Sequence, residues 1–220
     1  MRYQQVARLD ALHRMQLFLD DNDEELGAIH ASAARASLDQ IITTLHARVA
    51  EQSAAETEST SFTKCRDSAR EALRREHLCP LATIAGVRLQ DSPNRTFLRM
   101  PAQHCSDSEL FAAATDMAEA SGDHRALFAS EGLPADFTAR LRAAMGALAD
   151  VIVARDASRA RRAAATAGIA EALTRASGVR RILDALVEQQ AGDRPGLLGA
   201  WKQAKRVRRK PGRAKVTRPA

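Results

Sequence analysis

The stretch FTARLRAAMGALADVI sets Phe137, Leu141, Met145, Leu148 and Ile152 at steps of four, four, three and four. That spacing returns every apolar side chain to one face of a 3.6-residue helix and would scatter them over both faces of a strand. A second stripe, Leu38, Ile41, Ile42, Leu45 and Val49, runs at i, i+3, i+4, i+7 and i+11. No segment alternates with period 2 for long enough to make a strand, so these faces have only one another to bury against. Aromatic residues make up 4% of the chain. The apolar set is therefore mostly Ala, Leu, Val and Ile, which suits helices packed closely through small residues. We expect an all-α protein, an antiparallel bundle of about four to six helices.

Punctuation along the chain divides the stripes. Val6, Leu9, Leu12, Leu17 and Leu19 form a broad apolar face ended by the acidic run DDNDEE. The polar stretch EQSAAETESTS has no periodicity and is expected to be a loop. Phe62, Cys65, Ala69 and Leu73 begin another helix, which Pro80 should end or kink, and Leu81, Ile84 and Ala85 follow on a short one. Pro93 and Pro101 mark the clearest break, near residues 91–105. Ser106 and Glu109 then carry a capping-box pattern. Gly132-Leu133-Pro134 punctuates again, and Ile182, Leu183, Leu186 and Val187 lead to Gly192. Pro195 opens a final short helix with Leu197, Leu198 and Trp201 facing inward. The expected organisation is a bundle over 1–201, with a subdivision near 91–105, and a basic helix end and arm over 202–220.

The pattern excludes the common chemistries of helical bundles. A di-metal carboxylate site needs two Glu-x-x-His pairs, and the nearest match, Asp10-Ala-Leu-His13, occurs once and with Asp. Cys65, His77, Cys79, His104 and Cys105 are the densest soft ligands. They lack the C-x₂-C or H-x₃-H spacing that lets two side chains converge on zinc, and we expect the cysteines to act as small buried apolar residues. The segment DDNDEELG has Glu25 where a calcium loop needs its turn-making glycine. No G-x-S-x-G, P-loop, G-x-G-x-x-G or H-E-x-x-H occurs. The expectation is a protein without catalytic function, cofactor or metal.

Charge is distributed unevenly. Residues 1–150 hold 16 Lys and Arg against 22 Asp and Glu, whereas residues 151–220 hold 17 against 5. Arginine is abundant throughout, so lysine is the sharper marker. Of five lysines, Lys202, Lys205, Lys210 and Lys215 fall in the last nineteen residues, which carry nine basic groups and no acidic one. If the last helix runs on to Lys210, then Lys202, Lys205, Arg206 and Arg209 form a stripe at i, i+3, i+4 and i+7 beside the Trp201 face. Arg208, Lys210, Arg213 and Lys215 add to it. Dense cations of this kind suit the phosphate backbone, whose condensed counterions they release without base-specific geometry. A second stripe, Arg155, Arg159 and Arg162, is a candidate extension. The alternative is self-association, with the acidic front of one copy meeting the basic end of another and the tail aiding solubility.

The longest charge-free apolar window, LCPLATIAGV, is too short to span a bilayer, and MRYQQVARLD has no signal-like apolar stretch. We expect a cytoplasmic location and no membrane partner. The segments RLDALHRMQLFLDDN, GLPADFTARLRAAM and LLGAWKQAKRVRRKPG together resemble a group of uncharacterised bacterial hypothetical proteins that are all-helical. The resemblance implies a bacterial, helical, cytoplasmic protein and carries over no site residue.

Overall fold

Each of these apolar stripes lies on a helix. The computed structural model describes residues 3–208, in the order α1 (Tyr3–Asp21), α2 (Asp23–His30), α3 (Ala33–Ala72), a π-helical turn (Leu73–Leu78), α4 (Cys79–Arg88), α5 (Asp107–Ala120), α6 (Arg125–Ser130), α7 (Phe137–Ala191) and α8 (Pro195–Ala204). Short 3₁₀ turns at Pro93–Thr96 and Gly122–His124 complete it, and the described residues contain no strand. The chain is all-α. Among the described residues no helix is long and apolar enough to cross a membrane.

Two compact units divide the chain, residues 1–55 with 160–220, and residues 56–159. Both boundaries fall inside long helices, α3 and α7, and the proline-marked segment 91–105 lies within the second unit. In the first unit α1, α2, the front of α3, the end of α7 and α8 bury Leu12, Met15, Leu19, Leu38, Leu45, Leu173, Leu183 and Trp201. Helices α1 and α3 are antiparallel here: His13 meets His46, Gln16 bonds Asp39 and Asp20 pairs with Arg35. Helices α3 and α7 are antiparallel too, since Arg48 lies against Gly168 while Gln52 donates to Thr166 at 2.8 Å. The inward face of α1 differs from the one expected. Met15 and Phe18 are buried, while Val6 and Leu17 are exposed, because Leu12, Met15 and Leu19 form the helical stripe and Leu17 points away from it.

The stretch EQSAAETESTS is helical rather than a loop, lying wholly within α3. Only Ala55 is buried in it, so it has almost no apolar face to display periodicity. Its Glu, Gln and Ala residues are good helix formers, and Thr60 and Thr63 return their hydroxyls to the carbonyls four residues back. Pro80 does not end the helical path. It cannot donate to the carbonyl four residues earlier, and the turn before it widens, with the Cys79 N–H bonding to Arg74 O.

In the second unit the buried set is Leu73, Leu78, Leu81, Leu98, Leu110, Met117, Phe128, Phe137, Leu141 and Leu148. The capping box forms as expected: Ser106 N–H donates to Glu109 Oε2 at 2.6 Å and Glu109 N–H to Ser106 Oγ at 3.2 Å. Gly132, at φ +93°, makes the turn before α7, a conformation glycine adopts at no steric cost. Sequence gave no warning of the arginines that hold the irregular segment. Arg66 makes a bidentate pair with Asp107 at 2.8 and 2.6 Å, and Arg70 reaches the same carboxylate at 2.6 Å. Arg70 also donates to the Cys105 carbonyl, and Arg74 to those of Pro101 and Ala102. Spaced by four, the three guanidiniums share one helix face, and those of Arg70 and Arg74 satisfy loop carbonyls that have no helix to bond within.

Candidate nucleic-acid interface

Proline 195 starts α8 within its first turn, where its missing N–H is no loss. The helix places Trp201 in the first unit's core, 1% exposed. The indole packs on Phe18 with ring centroids 5.3 Å apart, and its Nε1 donates to Asp184 Oδ1 at 2.8 Å. Leu197 and Leu198 pack against the same core. Trp201 therefore fixes where the basic residues that follow leave the bundle.

The helix ends at Ala204, short of Lys210, so Lys202, Lys205 and Arg206 do not continue as one helical stripe. Ala204 is buried and Lys205 turns back onto the unit, its Nζ donating to Asp184 Oδ1 at 2.8 Å. One carboxylate thus receives both the indole and the ammonium, and Lys205 serves the docking of α8 more than an outward surface. Lys202, Arg206 and Arg208 remain exposed. Arg206 is held through its backbone, its carbonyl accepting from Arg14 Nη2 at 2.6 Å. Arg209, Lys210, Arg213 and Lys215 lie outside the described residues.

Beyond α8 the chain crosses α1, and Arg14, Arg206 and Arg208 line a broad hollow of about 1210 Å³ shared with Phe18, Asp21 and Gln203. Arg14 adds a guanidinium to this surface that no run of basic residues in the sequence pointed to. The Arg155 stripe contributes less. Arg155 lies against Asp156 at 3.1 Å with its side chain 14% exposed, and Arg159 approaches the same carboxylate. Arg155 and Arg159 belong to the second unit and Arg162 to the first.

Among the described residues the soft ligands set aside on their spacing, Cys65, His77, Cys79, His104 and Cys105, form no group of three, and no three His, Cys, Asp or Glu side chains are grouped to hold a metal. Cys65 and Cys79 are exposed rather than buried, and Cys105 is half-buried with its Sγ 3.3 Å from Arg70 Nη2. His13 sits at the rim, its Nε2 2.7 Å from that of His46 with the rings stacked. No family model, curated protein or solved structure matches the chain.

Proposed function

We propose that this protein binds nucleic acid without sequence preference, through phosphate contacts made by Lys202, Arg206, Arg208 and the basic residues that follow. The observation that carries the reading is the charge of residues 202–220, nine cations and no acidic group, issuing from a helix anchored by the buried Trp201. Anchoring supports it because the exposed Lys202, Arg206 and Arg208 then follow from a fixed point on the unit. Exposed guanidiniums and ammoniums exchange condensed counterions for phosphates and need no base-edge geometry. The reading needs no catalysis and keeps the bacterial, cytoplasmic setting that the sequence resemblance implies.

The test is binding of random-sequence duplex DNA and of RNA over a range of salt, with the full chain and with a version ending at Arg208. Cutting earlier, at Trp201, would remove Ala204 and Lys205, which help seat α8, and would confuse lost docking with lost binding. The full chain should bind with a log–log salt slope of about −4 to −8, given about 0.9 per phosphate contact. Removing 209–220 should flatten that slope, and Lys202→Ala, Arg206→Ala and Arg208→Ala together should remove most of what remains. Absence of binding at low salt, with a mass above the monomer's, would favour self-association of the acidic and basic halves instead.

A further inference from the structure

A second cavity in the first unit, about 630 Å³ in volume, is bounded by α1, α7 and the chain leaving α8. Its floor is apolar, formed by Leu12 and Met15 of α1 and Leu173 and Ala176 of α7. Its charged lining is all of one sign: Arg8, Arg180, Lys205 and Arg208, with no carboxylate among the lining residues. Lys205 is already paired with Asp184. Among the described residues Arg8, Arg180 and Arg208 have no ion pair and no side-chain hydrogen bond, and Arg180 Nε is buried without a partner. A buried guanidinium N–H left without an acceptor is uncommon in a native structure and calls for a partner.

Cations at the wall and hydrocarbon at the floor are the two halves of one ligand description. We propose that this cavity binds a small amphipathic anion, its carboxylate or phosphate head on Arg180 and Arg8 and its apolar body against Leu12, Met15 and Leu173. The volume suits a body of about a dozen carbons, within the usual range for small-molecule pockets. A duplex cannot bring its backbone to the floor of such a cavity, and an inorganic anion would leave the apolar surface uncovered. This site shares Arg208 with the phosphate-backbone reading but depends on Arg8 and Arg180, which that reading does not use.

Calorimetric titration of the full chain with decanoate and with decyl phosphate, both below their micelle concentrations, tests it, with decanol and inorganic phosphate as the neutral and headgroup-only probes. One molecule of at least one amphiphile should bind per chain, and the better of the two identifies the head. Arg180→Ala and Arg8→Ala should each weaken binding at least tenfold. Ser177→Trp, which fills the mouth from an exposed lining position without changing charge, should abolish it. Arg125→Ala, an exposed arginine on α6 in the second unit, should change nothing. The proposal is overturned if neither amphiphile saturates a site, if decanol or inorganic phosphate binds as tightly, or if the Arg8 and Arg180 variants bind unchanged. A far-ultraviolet spectrum matching the parent's would show that each variant had kept its helices.

Discussion

Asp107 concentrates more of the second unit's organisation than any residue the sequence singles out there. It is the first residue of α5 and takes both Arg66 and Arg70. Hydrogen bonding from Arg66 holds its carboxyl below the usual carboxylate range, burial opposes this, and Arg70 adds to the lowering. A carboxyl lowered on folding stabilises the protein above its unfolded value, near 3.9, and the gain is lost as pH falls through the folded value. Asp107→Asn should cost about 1.5–3 kcal/mol at neutral pH, the range for hydrogen bonds to charged groups, and urea unfolding reads it directly. His13 works at milder pH. Burial lowers its pKa first, the neighbouring His46 lowers it further, and Asp10 pulls the other way. One imidazole must donate and the other accept across the 2.7 Å contact, so protonating both rings breaks the bond. Unfolded His13 takes its proton near pH 6.5 and the folded residue only lower. Stability from this site is therefore complete above about 6.5 and declines as pH falls through the folded value. His13→Gln should flatten the decline between pH 7.5 and 5.5 in paired urea titrations.

At the scale of elements, the stripes at Leu38–Val49 and Phe137–Ile152 were legible because apolar side chains recur at helical steps. The capping box was legible because its two residues sit three apart in sequence and act locally. The central stretch of α3 was not. A helix can be continued by propensity and by its own hydrogen bonds without an apolar face, and periodicity is silent there. Pro80 was legible as a point of change: a π turn replaces the α pattern before it, and Pro80 sits in the first turn of α4. Helix α7 runs for 55 residues and carries glycines at 146 and 178 whose added Cβ would meet nothing within 4 Å. Gly146→Ala and Gly178→Ala should each stabilise by about 0.5–1 kcal/mol, mainly by lowering the entropy of the unfolded chain. Thermal unfolding of the two variants checks this, and a loss of stability at either site would mean that the glycine is doing something other than continuing the helix.

For the whole molecule, charge is the property most plainly written in the sequence. Residues 209–220 contain five cations and no acidic group, so a chain ending at Arg208 falls from a net charge of +6 to +1. That version should elute from a heparin or phosphate column at markedly lower salt than the full chain, because polyanion affinity follows the number of cations presented. If both elute together, the interface lies in the described surface around Arg14, Arg206 and Arg208. The sequence by itself determined the helical class, the cap at Ser106, the inward Trp201 and the concentration of positive charge at the end of the chain. Each follows from composition or from residues a turn or less apart, where the chain's geometry is fixed by its covalent structure. Tertiary structure alone decided that two cores form, that Lys205 turns to Asp184, that Arg66 and Arg70 meet Asp107 across 41 and 37 residues of chain, and that Arg8 and Arg180 face one cavity. Those pairings are long-range, and a charge in sequence carries no label for the partner that folding will bring beside it.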